Sequence, residues 1–176
     1  MEELIIKSKS GDLKAFTQIF LLLKDDLYKI AKTRLICDSD IDDAIQETMI
    51  QTYKSIKSLR KPESFKSWII RILINNCNKI YKKQKKFISY EQHLDNYLDD
   101  NRQNLIQTDI DFYLLMKFLN DDERTAITLY YLENYNIKEI SKILKTNENT
   151  IKTRLSRAKK KIKNNYKGDE YIGLHR

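Results

Sequence analysis

The chain has 176 residues, a formal net charge of +8, 33% charged and 41% hydrophobic residues, and only three Gly and one Pro. So few turn residues argue against β-sandwich and Rossmann-type folds, which need many Gly and Pro, and leave an all-α protein. No run of about 18 apolar residues is present, Met1-Glu2-Glu3-Leu4 lacks the order of a signal peptide, and two cysteines are too few for a disulfide scaffold or a four-ligand zinc site. The expectation is a reduced, cytoplasmic protein without metal, cofactor or membrane contact.

The first half reads as four helices. After Gly11-Asp12, Ala15, Phe16, Ile19 and Leu23 recur at helical spacing, and Leu27, Ile30, Ala31 and Leu35 do so again. Asp40 is the expected N-cap of a third helix, whose apolar face is Ile41, Ile45, Thr48, Thr52 and Ile56. Its opposite side carries Asp42, Asp43, Gln46 and Glu47. Pro62 suits the opening turn of a fourth helix. That helix turns Phe65, Ile69, Leu73, Cys77 and Ile80 inward, and Trp68, Arg71, Asn75, Lys79 and Lys82 along a second stripe. It runs into KIYKKQKK, Lys79 to Lys86, with five Lys and no acid.

Glu91 to Asp111 carries six acidic residues against Arg102 alone and has weak periodicity. This stretch reads as a polar linker, placed at 89–108, between a first domain at 1–88 and a second at 109–167, followed by a tail at 168–176.

The second half also reads as four helices. Phe112, Leu115, Met116 and Leu119 make the first. Asn120 with Glu123, and Asn136 with Glu139, are capping-box signatures opening the next two. Lys145-Thr146-Asn147 is then a short turn into Ile151, Leu155, Ala158 and Ile162. Two short helices joined by such a turn, the second rich in Lys and Arg, signal a helix-turn-helix. The polar face of the last helix offers Lys152, Thr153, Ser156, Arg157 and Lys160. Eight basic residues and no acid lie between Lys152 and Lys167, so the excess positive charge is clustered as a polyanion-binding protein requires.

The segment NIKEISKILKTNENTIKTRLSRAKKKI resembles the C-terminal promoter-reading region of extracytoplasmic-function (ECF) sigma factors of the sigma-70 family. Leu119 to Leu129, with Glu123-Arg124, is similar to the family upstream of that region. Gly11-Asp12 with Ala15-Phe16 resembles its opening helix, Asp42-Asp43-Ala44-Ile45-Gln46-Glu47-Thr48 its core-polymerase-binding helix, and Phe65 to Asn75 its strand-melting helix. These matches fall in the family's order over roughly residues 10–86 and 109–163.

The resemblance implies a bacterial sigma factor: not an enzyme, a monomer when free, with core RNA polymerase and promoter DNA as partners and an anti-sigma factor left open as a third. It assigns Asp42, Asp43, Gln46 and Glu47 to core polymerase. Trp68, Arg71, Asn75, Asn76, Lys79, Lys82 and Lys83 go to the minus-ten element. Lys152, Thr153, Arg154, Ser156, Arg157 and Lys160 go to the minus-thirty-five element. Two departures, Lys145 in place of a turn Gly and Ser141 in place of a small Ala, lead one to expect a differently shaped turn, because a left-handed non-Gly residue costs about 1 kcal/mol. Two other readings stay open on the residues alone: a sigma-like phage, competence or toxin-gene activator, and a stand-alone helix-turn-helix regulator. Catalysis lacks any Ser/His/Asp set or metal-spaced cluster, and His93 and His175 are isolated.

Overall fold

Gly11 sets the first corner of the chain. Its φ of +102° is closed to ordinary L residues without strain, and it hands over to Asp12, whose carboxylate accepts the Ala15 amide at 3.0 Å and caps the next helix. The computed structural model describes residues 1–35, 37–84 and 115–165. The proposed linker and tail, with Phe112, His93 and His175, lie outside them. Among the described residues the secondary structure is helical, without strands.

The first half comprises α1 (Glu2–Lys9), α2 (Leu13–Lys32), α3 (Asp38–Ser55) and α4 (Phe65–Gln84). The expected first two helices are a single one, α2. Leu23, Leu27, Ile30 and Ala31 keep one buried face in register through Lys24-Asp25-Asp26, and no Gly or Pro interrupts. The extra element is α1, which Ile5 anchors at 1% exposure. α3 starts at Asp38 rather than after Asp40, with Cys37 at the cap position and no side-chain cap. Asp38 and Asp40 instead lie in the first turn, where acids complement the helix dipole. Pro62 opens a 3-10 turn (Pro62–Ser64) that leads into α4.

α3 packs on α4 and α2, and α2 on α1 and α4. Phe65, Ile69, Leu73 and Cys77 are buried along α4, as the spacing predicts, against Ile41, Ala44, Ile45 and Thr48 of α3 and the apolar face of α2. Burial drives the Cys77 thiol up to about 12, so it packs as an apolar group.

The second half comprises α5 (Asp121–Ile127), a π-helical turn (Thr128–Leu132), α6 (Ile137–Leu144) and α7 (Glu148–Asn165). Both capping boxes form: Asn120 with Glu123, and Asn136 with Glu139, exchange side-chain and backbone bonds of 2.8–3.0 Å. Asn147 caps α7 by accepting the Thr150 amide at 2.7 Å. α7 packs on α5 and α6 through Ile151, Leu155, Ala158 and Ile162, all buried.

The turn into α7 has the ordinary left-handed closure after all. Lys145 itself adopts φ +50° and ψ +47°, and the Thr146 amide closes back on the Ser141 carbonyl at 3.0 Å. Ser141 is accommodated because its buried hydroxyl donates to the Lys138 carbonyl at 2.8 Å. The two halves also touch: α6 packs against α4.

Candidate nucleic-acid and polymerase interfaces

The residues expected to form the site lie on three helices, and most of them face solvent. The first is on α3. Packing of Ile41, Ile45, Thr48 and Thr52 into the core turns Asp42, Asp43, Gln46 and Glu47 outward, all exposed. Glu47 accepts a hydrogen bond from Gln51 Nε2 at 2.6 Å. Met49, Ile50 and Tyr53, each 42–43% exposed, continue this same side of the helix. Acidic heads beside large uncovered apolar side chains form a surface suited to protein rather than to nucleic acid. Sequence reasoning missed these three residues. The available signal was that they are apolar yet fall off the 41/45/48/52 stripe.

The second surface is on α4. Trp68 is half-buried, its ring tilted 52° against Phe65 at 5.9 Å between centroids. The indole is thus braced by core packing and stays part-exposed. Arg71 is half-buried, and Asn75, Lys79, Lys82 and Lys83 are exposed on the continuing stripe.

Asn76 is placed differently from the expectation. It is 2% exposed, donates through Nδ2 to Thr48 Oγ1 at 3.1 Å, and accepts from Gln51 Nε2 at 3.3 Å and Lys79 Nζ at 3.4 Å. One residue along a helix is a rotation of about 100°, enough to carry a side chain from solvent into the α3–α4 interface. Replacing Asn76 by Ala leaves buried partners unpaired, so urea denaturation should read a loss of about 1–3 kcal/mol, while Asn75→Ala should leave stability nearly unchanged.

The third surface is on α7. Lys152, Thr153, Ser156, Arg157 and Lys160 are all exposed. Thr153 Oγ1 donates locally to the Asn149 carbonyl at 2.8 Å. Arg154 departs from the expectation, since it turns toward α5 and pairs with Asp122 at 2.5 Å. Lys161 likewise pairs with the buried carboxylate of Glu123 at 2.8 Å, and Lys159 Nζ lies 5.4 Å from the centre of the Tyr131 ring. These cations fix the last helix on the rest of its unit, whereas the outward ones are free of ion pairs among the described residues.

Two helical units, each offering an exposed basic face and the second a helix-turn-helix, have the make-up of a DNA-binding transcription factor. Residues 19–87 match the family model of Sigma-70 region 2, and residues 111–162 that of Sigma-70, region 4. The chain is 31% identical over 137 residues to the RNA polymerase sigma factor SigV of Bacillus subtilis, covering 78% of this chain and 82% of that protein. It is 28% identical over 179 residues to the ECF RNA polymerase sigma-E factor of Haemophilus influenzae, covering 93% of each.

The same fold occurs in the sigma factor RpoE of Bartonella quintana, solved with the anti-sigma factor NepR, at a TM-score of 0.68 and 22% identity over 90% of this chain and all of that one. It also occurs in CnrH, solved with the cytosolic domain of CnrY, at 0.66 and 20% over 93% and 94%. The chain belongs to the ECF group of the sigma-70 family: it is a promoter-directing transcription initiation factor and not an enzyme. Among the described residues no helix is long and apolar enough to cross a membrane.

Proposed function

We propose that the three surfaces divide the work of initiation. The outer side of α3, with Asp42, Asp43, Gln46 and Glu47 flanked by Met49, Ile50 and Tyr53, docks on core RNA polymerase in the cytoplasm. The α4 stripe takes the minus-ten element: Trp68 and Asn75 hold an unpaired base, while Arg71, Lys79, Lys82 and Lys83 hold phosphates. The outer face of α7 reads the minus-thirty-five element in the major groove through Lys152, Thr153, Ser156 and Arg157, with Lys160 on the backbone. Arg154 acts through Asp122, as a positioning residue, and Asn76 is structural. An anti-sigma factor is a further partner in this reading, in keeping with the relative solved with NepR.

The observation that carries the reading is the contrast along α7, where every inward cation has an acidic or aromatic partner and the outward ones have none among the described residues. On α4, unstacking a base costs a few kcal/mol, and stacking on an aromatic returns about 1–3 kcal/mol. Trp68, braced by Phe65, offers its uncovered part without further ordering cost. Permanganate footprinting of a promoter with core enzyme tests this assignment. Asn75→Ala should bind duplex promoter nearly as well as wild type and open it poorly; normal opening would remove Asn75 from the site.

A further inference from the structure

Lys145 holds a backbone conformation that its residue type disfavours. Among the described residues, positive φ occurs at Gly11, Asn134 and Lys145. Gly lacks the Cβ that makes such a conformation costly, and Asn tolerates it through its short polar side chain. Lys has neither property. At φ +50° and ψ +47° it ends α6, where a glycine would close the turn without strain. The side chain does not offset that strain within the fold: it is exposed, with no ion pair or hydrogen bond among the described residues. A cation at this end of α6 complements the helix dipole, but Lys142 already supplies one from the last turn.

Lys145 does have a place in a track of charge. Lys138, Lys142 and Lys145 succeed one another at helical spacing, and all three are exposed. Ile140 and Ile143, on the other side of α6, are buried. The exposed acid of this helix, Glu139, is committed to the Asn136 amide at 2.8 Å. The three ammonium groups thus run up the outer side of α6 and end at the turn that leads into α7.

That turn is where a DNA strand comes near. A helix-turn-helix places the N-terminal end of its second helix in the major groove, while its first helix crosses the backbone. α7 begins at Glu148, three residues after Lys145, so the two Cα atoms are at most about 11 Å apart. The major groove is about 12 Å wide. Lys145 therefore lies within a groove's width of the end of α7 that enters the groove, near the phosphates that border it.

We propose that Lys145 is a DNA-backbone contact set into the turn itself, and that with Lys142 and Lys138 it forms a phosphate-gripping track on α6, separate from the base readers on α7. The ligand is the sugar-phosphate strand of duplex DNA, held without regard to sequence. The strained conformation is kept because a glycine would close the turn more easily but would hold no phosphate. The inference rests on the assignment of α7 to the minus-thirty-five element.

Lys145→Gly tests it through two readouts that move in opposite directions. The melting temperature of the free chain should rise by about 2–4 °C, because the turn is relieved. Binding of the holoenzyme, formed with core polymerase, to a promoter duplex should weaken, and the slope of log affinity against log salt should fall by about 0.9, as for one lost phosphate contact. The wild-type advantage then shrinks about three- to fourfold between 50 and 200 mM salt. Adding Lys138→Gln and Lys142→Gln should bring the loss of slope to about 2.7 and that shrinkage to about fortyfold. Preference across singly substituted minus-thirty-five elements should stay as in wild type throughout.

Two further variants separate charge from turn shape. Lys145→Asn keeps a residue that tolerates the left-handed conformation and should lose the same slope as Lys145→Gly. Lys145→Arg keeps the cation and should retain the wild-type slope. A lower melting temperature for Lys145→Gly, an unchanged slope for the Gly and Asn variants, or a changed base preference in their place overturns the proposal. Arg157→Ala in the same panel distinguishes this failure from that of the reading beneath it. Relaxed preference for Arg157→Ala with an unchanged slope for Lys145→Gly removes the turn contact alone. Unchanged preference for Arg157→Ala removes the base-reading role of α7, while a lowered slope for Lys145→Gly still supports the backbone contact.

Discussion

Reversing the charge on the outer side of α3, with Asp43→Arg and Glu47→Lys together, should abolish co-purification with core RNA polymerase while leaving the fold intact. Both side chains are exposed and point away from the α3–α4 contact, so the cost to stability should stay within about 0.5 kcal/mol. Glu47 has one hydrogen bond, from Gln51, and losing an exposed bond of that kind matters little. At an interface the same change places two cations where two anions complement the partner, and like-charge juxtaposition costs several kcal/mol, a loss of a hundredfold or more in affinity. Tyr53→Ala tests the apolar part of the surface separately. The ring also packs edge-on against Phe16 at 5.1 Å, so its melting temperature must be measured beside its binding. A charge-reversed variant that co-purifies normally would move the polymerase contact off α3.

Much of this arrangement was legible in the sequence because helices built with few Gly and Pro advertise their buried faces by periodicity. The α4 stripes, the two capping boxes and the Ile151/Leu155/Ala158/Ile162 seam all follow from spacing, since each is a contact within one element or with an adjacent one. The failures have a common origin. Lys24-Asp25-Asp26 looks like a break when read as composition, yet it occupies the solvent side of an uninterrupted α2. Asn76 and Arg154 have the residue types of nucleic-acid contacts, and only the packing of α3 on α4 and of α5 on α7 decides that their partners are Thr48 and Asp122. Lys145 shows a tertiary override of local preference, since the short connection between α6 and α7 imposes φ +50° on a residue that dislikes it. Arg34 was invisible to any local pattern: its partners Asn78 and Thr125 are 44 and 91 residues away, and nothing in a one-dimensional reading brings the three together.

Two substitutions less than one helical turn apart on α7 should fail in different ways. Arg157 and Lys160 are both exposed cations on the same helix face, and three residues of spacing places their side chains side by side along the groove. A guanidinium presents a fork that matches the O6 and N7 of guanine, whereas a lysine ammonium is a point charge that suits a phosphate. Arg157→Ala should therefore cost about 1–3 kcal/mol on the preferred promoter and much less on one altered at a single upstream position, so that preference relaxes there. Lys160→Ala should weaken binding almost equally on every sequence and reduce the slope of log affinity against log salt by about one. Asp122→Ala supplies the contrast that a direct DNA contact cannot mimic. It frees Arg154 from the pair that ties α7 to α5, so it should blur preference at several upstream positions at once by loosening the helix that presents the readers. Holoenzyme binding to a set of singly substituted minus-thirty-five elements, repeated at several salt concentrations, separates the three patterns. Identical profiles for Arg157→Ala and Lys160→Ala would mean that α7 holds the backbone and does not read the bases.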